Sequence, residues 1–118
     1  MKTRIRTTEE YIIMFWSSGC SHCLDEIPKI YQLAKTLGPE KLKVIAVGLE
    51  DEPYKWRNIT MDMPELIHVL GLGRWENSIG NQYDVSATPT YFILDKDKNI
   101  MAKPETIEDV QALLSPTE

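Results

Sequence analysis

The sequence predicts an α/β fold in which helices flank a central β-sheet, and three observations lead to this prediction. Residues 11–16 form a continuous apolar run of strand length, and residues 43–48 form a second run that is largely apolar. A helical pattern over residues 24–37 separates the two. Apolar runs of this kind are typical of strands that are buried on both faces because helices cover the sheet. A third run, residues 90–94, is followed by a polar turn and a short fourth strand at residues 100–102, which indicates a hairpin.

The composition indicates one globular domain. The chain has 118 residues, of which 42% are hydrophobic and 26% charged, enough for one hydrophobic core and not for two. The formal net charge is -5, so a nucleic-acid partner is not expected, because phosphate binding needs clustered Lys and Arg. No apolar run approaches the roughly 20 residues of a membrane helix. Residues 1–10 also lack the apolar segment of a signal peptide.

The first helix is expected to begin at Cys20 or Ser21, directly after the first strand. Its end is expected near Gly38 and Pro39, which together form a stop signal. Pro28 falls inside the helix, where it removes a hydrogen bond and predicts a kink. The predicted buried face has apolar residues at helical spacing: Ile27, Ile30, Tyr31, Ala34 and Leu37.

The remaining elements are shorter. Acidic residues 50–52 followed by Pro53 predict the start of a short second helix, whose expected extent is residues 54–60. Residues 66–70 are compatible with a short strand, and residues 75–83 are predicted to be helical. The last helix is predicted after a capping-box pattern at residues 106–109.

The two cysteines of the chain, Cys20 and Cys23, lie where the first strand meets the first helix. A helix N-terminus has backbone N–H groups without intrahelical partners and a positive dipole end, which stabilise a thiolate and lower its pKa. Cys23, one turn further on, could attack Cys20 and release whatever is bound to it. The alternative is a structural disulfide, but it would close a very small loop and stabilise little. The spacing therefore favours a redox motif.

The motif WSSGCSHC at residues 16–23, followed by Glu26-Ile27-Pro28 and later by residues 87–90 (ATPT), resembles the thioredoxin superfamily. The pattern C-x-x-C-x-x-E-x-P resembles in particular the TlpA/ResA-like thiol–disulfide oxidoreductases of bacterial envelopes. The resemblance implies a thioredoxin-like α/β fold, with a central mixed sheet of about four strands flanked by helices and a helical insertion. It also implies disulfide exchange with protein cysteines through a mixed disulfide, with no cofactor beyond the redox-active cysteine pair.

The resemblance further implies an organisation and a location. Residues 1–10 are expected to be a lead-in segment and residues 11–118 a thioredoxin-like domain excised from a longer protein. The expected partners are protein thiols or disulfides and an upstream redox partner, with neither nucleic acid nor a membrane span in this chain. The expected location is the periplasm or cell envelope of a bacterium.

Within the motif, the resemblance implies that Cys20 is the nucleophile and Cys23 the resolving cysteine. His22 precedes the second cysteine, as in disulfide isomerases and DsbA-type oxidants, where an imidazolium stabilises the thiolate. This predicts a redox potential above the roughly -270 mV of thioredoxin. The alternative is that His22 is a solvated residue that interacts only weakly with the cysteine pair. Glu26 lies on the same helix face as Cys23 and is expected to shuttle its proton. The alternative for Glu26 is a surface carboxylate that supports the helix N-terminus.

Three further residues are predicted to bind the substrate. The resemblance implies a cis peptide bond between Thr88 and Pro89, which would leave the backbone of Thr88 free to pair with a substrate strand. The alternative is an ordinary trans-proline that opens a strand. Trp16 is predicted to form an apolar rim beside Cys20, with a plain core position as the alternative.

Two other functions are considered. One is a non-catalytic module of a larger envelope protein, which binds a client protein through a groove beside Pro89. The other is a zinc-stabilised fold using Cys20, His22, Cys23 and His68, but zinc sites usually combine two separated pairs of ligands. No metal site is therefore expected, and His68 is expected to be a packed or surface residue.

Overall fold

Five strands form one mixed sheet in the computed structural model, which describes residues 9–73, 83, 85 and 87–114. The order across the sheet is β3-β2-β1-β4-β5. β2 pairs in parallel with both β1 and β3, whereas β4 is antiparallel to β1 and to β5. The strands are β1 (Glu10–Trp16), β2 (Leu42–Glu50), β3 (Ile67–Leu72), β4 (Thr90–Leu94) and β5 (Ile100–Ala102).

Three helices accompany the sheet in the described part of the chain: α1 (Ser21–Leu37), α2 (Tyr54–Thr60) and α3 (Ile107–Leu113). α1 begins and ends within the expected limits. The N-cap of α1 is Cys20, and at its C-cap the N–H of Gly38 donates to the carbonyl of Ala34. Gly38 has a φ of 80°, a conformation that glycine adopts without steric cost. None of these three helices is long and apolar enough to cross a membrane.

Side chains of β1 alternate between two apolar clusters, one on each face of the sheet, which explains why the run is continuously apolar. The helix-side cluster includes residues of the sheet, α1 and α3: Ile12, Met14, Trp16, Ile27, Ile30, Ile93, Ile107 and Val110. The opposite cluster lies on the other face: Ile13, Phe15, Val47, Leu49, Val85, Phe92 and Leu94.

The predicted α/β class is confirmed, with five strands where about four were expected. The fifth is β3, in the stretch that the sequence left as compatible with a strand. The expected extent of α2, Tyr54–Thr60, is confirmed. Glu50, which was grouped with the residues that start this helix, is instead the last residue of β2. The helix predicted over residues 75–83 lies outside the described residues, apart from Tyr83, which is in a turn.

Gly48 shows how closely α2 approaches the sheet. A Cβ at Gly48 would lie 2.5 Å from Cδ1 of Trp56, closer than two carbons can approach. We therefore expect Gly48→Ala to lower the free energy of unfolding by about 1–3 kcal/mol, because the rigid indole must move. Gly19→Ala is the matched control, since its nearest atom would be Ser17 Oγ at 3.9 Å. Urea unfolding of both variants measures the difference, and equal stabilities would contradict this packing.

Candidate active site

The two cysteines lie at the start of α1 and are joined by a disulfide bond. Cys20 is the N-cap residue, and its Sγ accepts a hydrogen bond of 3.1 Å from the backbone N–H of Cys23. The Cα atoms of the pair are 5.2 Å apart. Cys23 is fully buried, whereas Cys20 is only partly buried. Cys20 is therefore the sulfur of the pair that another protein can approach.

Backbone geometry at this helix end favours negative charge on Cys20. The N–H of Cys23 points at Cys20 Sγ, and the positive end of the α1 dipole lies at the same place. After reduction, a thiolate at Cys20 could accept the same hydrogen bond. A donor aimed at the charged form of a group favours that form. The arrangement can thus supply a nucleophilic sulfur close to neutral pH.

The loop that precedes β4 faces the disulfide. The Thr88–Pro89 peptide bond is cis, and Cys20 Sγ lies 3.6 Å from the carbonyl oxygen of Thr88. Thr88 and Pro89 are both partly exposed. The structure thus brings together Cys20 and this loop, although they are far apart in the chain.

Glu26 is a buried carboxylate, with 6% of its side chain exposed, and not a surface residue. Tyr91 Oη donates a hydrogen bond of 2.5 Å to Glu26 Oε1. Glu26 Oε2 lies 3.2 Å from Nε2 of His22, whose side chain is 67% exposed. Burial of Tyr91, together with the hydrogen bond to Glu26, raises the pKa of Tyr91 far above its ordinary value. Both oxygens of this carboxylate therefore have partners.

Trp16 does not form the expected rim. Its side chain is fully buried in the helix-side cluster, together with Cys23, so it cannot contact a substrate protein. The prediction that Trp16 binds substrate is wrong, and the alternative of a core position holds. The reason is that β1 is central in the sheet and covered on both faces, so its last residue remains inside.

Sequence reasoning missed the buried carboxylate of Glu50. It accepts two hydrogen bonds of 2.7 Å from Ser18, one from the backbone N–H and one from Oγ. This pair fixes the loop between β1 and Cys20. The available signal was an acidic residue directly after an apolar strand. Carboxyl ends of parallel strands meet at one sheet edge, which brings the end of β2 beside the loop that follows β1.

The described residues contain no group of three or more His, Cys, Asp or Glu side chains that could hold a metal ion. His68 lies on β3, where its Nε2 donates to the carbonyl of Met63 at 2.8 Å. Its ring meets that of Trp56 edge-on, with the centroids 6.4 Å apart. His68 is thus a packed residue whose interactions are with Met63 and Trp56.

A family model described as thioredoxin-like matches residues 9–100, more than half of the chain. No curated protein matches the chain by sequence.

Solved bacterial structures share the fold. A domain from Cytophaga hutchinsonii, described as a possible thiol-disulfide isomerase, is 27% identical with a TM-score of 0.73, covering 90% of this chain and 73% of that one. The thioredoxin domain of a Bacteroides vulgatus thiol-disulfide oxidoreductase is 18% identical with a TM-score of 0.75, and the match covers 92% of this chain and 81% of that one. StoA from Bacillus subtilis is 21% identical with a TM-score of 0.67, and the match covers 92% of this chain and 84% of that one.

Proposed function

The chain belongs to the thioredoxin-like family, and we propose that it is a thiol–disulfide oxidoreductase that acts on protein cysteines. The observation that carries the proposal is the Cys20–Cys23 pair at the N-terminus of α1, with Cys20 accessible and Cys23 buried. The names of similar structures support it, since two of them are described as a thiol-disulfide oxidoreductase and a possible isomerase.

The proposed reaction has two steps. The Cys20 thiolate attacks a substrate disulfide, so that one substrate sulfur bonds to Cys20 and the other leaves as a thiolate with the electron pair. Cys23 then loses its proton and attacks Cys20 Sγ, which forms the Cys20–Cys23 disulfide and releases the second substrate thiolate. The substrate gains two electrons and the cysteine pair is oxidised. An upstream dithiol protein restores the reduced pair, and the reverse sequence oxidises a substrate.

The other site residues take supporting roles in this proposal. His22 stabilises the thiolate of Cys20 when its imidazole is protonated. Glu26 exchanges a proton with Cys23, which lies one helical turn before it. Thr88 and Pro89 bind the substrate backbone beside Cys20, since their loop faces its sulfur.

The compartment is also part of the proposal. We place the protein in the envelope of a bacterium, because protein disulfides persist in oxidising compartments and the similar structures come from bacteria.

Reduction of insulin by dithiothreitol tests the proposal. We expect the protein to accelerate the reaction well above the rate with dithiothreitol alone, since it cycles between the dithiol and the disulfide. The Cys20→Ser, Cys23→Ser double variant is the control and should add nothing to the uncatalysed rate. If the wild-type protein bound a client protein without catalysing turnover, this would contradict the proposed enzymatic activity and favour the non-catalytic module.

A further inference from the structure

The Glu26 carboxylate connects a buried residue to a solvent-exposed one. Its Oε1 accepts from Tyr91, which is fully buried on β4, and its Oε2 faces His22, which is largely exposed on α1. Glu26 itself is buried one helical turn after Cys23, which is also buried. Direct exchange of a proton between Cys23 and water is therefore obstructed, whereas a route through Glu26 and His22 leads to solvent.

Tyr91 has the features of a residue that holds Glu26 in place. It pairs with Met14 in the centre of the sheet and is fully buried, so its ring position is determined by the core. Burial and the adjacent carboxylate raise the pKa of Tyr91, which therefore stays a protonated donor. The negative charge of Glu108, in the first turn of α3, adds a smaller contribution that raises the pKa of Tyr91 further, and Glu108 lies 3.9 Å from Lys29 of α1.

We propose that Tyr91 is a positioning residue that holds the Glu26 carboxylate beside Cys23, and that His22 carries the proton between Glu26 and solvent. This inference rests on the proposed oxidoreductase function and adds the route of the proton to it.

In the second step of the reaction, the proton of the Cys23 thiol moves to Glu26 as the Cys23 sulfur bonds to Cys20. The bond between Cys20 and the substrate sulfur breaks, and the substrate leaves as a thiolate. Unprotonated Nε2 of His22 then accepts the proton from Glu26, and the imidazolium releases it to water. In the opposite direction of electron flow, the same groups return the proton to Cys23.

The test follows the reactions of Cys20 and Cys23 as two separate kinetic phases. Reduced protein is mixed with one equivalent of dithiobis(nitrobenzoate), which releases one thionitrobenzoate when Cys20 attacks and a second when Cys23 resolves the mixed disulfide. We expect Glu26→Gln, which removes the group that takes the proton of Cys23, to slow the second phase relative to the first on the order of 100-fold. Tyr91→Phe should slow the second phase relative to the first by roughly tenfold, because the carboxylate loses the hydrogen bond that holds it in place. It should also change the pH profile of this ratio, which a purely structural role of Tyr91 would leave as it is.

Tyr31→Phe is the matched control. It removes a similar hydrogen bond, from Tyr31 to Glu65, about two helical turns beyond Cys23, and should change neither phase. The ratio of the two phases is measured within the same folded molecules, so a loss of stability in Tyr91→Phe does not obscure the result. An unchanged ratio of the two phases with an unchanged pH profile in Tyr91→Phe would overturn the role of Tyr91. A wild-type protein without a fast first phase would instead overturn the proposed function itself.

His22→Ala tests the remaining part of the route. We expect the second phase to slow relative to the first, and added imidazole buffer to restore it, because free imidazole can take the proton from Glu26. A purely structural role for His22 would not be rescued by imidazole. A second phase that is unslowed in His22→Ala, or slowed without rescue, would overturn its role as proton carrier.

Discussion

Replacing Cys23 with serine is expected to trap the protein in a covalent complex with its substrate, whereas replacing Cys20 is expected to leave no such complex. Cys20 is the accessible sulfur and can still attack a substrate disulfide, but without Cys23 nothing resolves the mixed disulfide. In Cys20→Ser the remaining sulfur is fully buried and cannot reach a protein substrate. Turnover should be abolished in both variants, so trapping distinguishes the two roles.

Non-reducing electrophoresis after incubation with a disulfide-bonded protein measures the trapped complex, and mass spectrometry identifies the linked cysteine. The complex should disappear on reduction. The double cysteine variant provides the background. Equal trapping by the two single variants, or trapping by Cys20→Ser alone, would contradict the assignment of Cys20 as the nucleophile.

Replacing Glu50 with alanine is expected to destabilise the fold strongly, although Glu50 is not a catalytic residue. The variant leaves the backbone N–H and the hydroxyl of Ser18 buried without their acceptor. Hydrogen bonds to a charged group contribute about 1.5–3 kcal/mol each, and the desolvation of Glu50 offsets part of this. We therefore expect the free energy of unfolding to fall by about 3 kcal/mol, which corresponds to a fall in Tm of about 10 °C.

Thermal unfolding followed by circular dichroism measures this effect. Glu52→Ala is the matched control, because it removes an exposed carboxylate two residues away and should change stability by less than about 0.5 kcal/mol. Ser18→Ala keeps the backbone hydrogen bond and should show a smaller loss than Glu50→Ala. The same Tm for Glu50→Ala and Glu52→Ala would show that the contact between Ser18 and Glu50 does not support the loop.

Elements with a strong local pattern were predictable from the sequence. The apolar runs located β1, β2 and β4, and the helical spacing with its stop signal located α1 to within a residue or two. The position of Cys20 at the N-terminus of α1 followed from the same boundary. These features depend on residues within a few positions of each other, so the order of residues along the chain contains the information.

Features that depend on residues distant in the chain were decided by the tertiary structure. Tyr91 and Glu26 are 65 positions apart, and Ser18 and Glu50 are 32 apart, yet each pair forms a buried hydrogen bond. Whether Trp16 is a rim or a core residue likewise depended on what covers the end of β1. By itself the sequence determined the class of fold and placed two cysteines at the start of a helix. Only the packing of the sheet decided which carboxylates are buried beside them, because burial is set by neighbours that local periodicity does not specify.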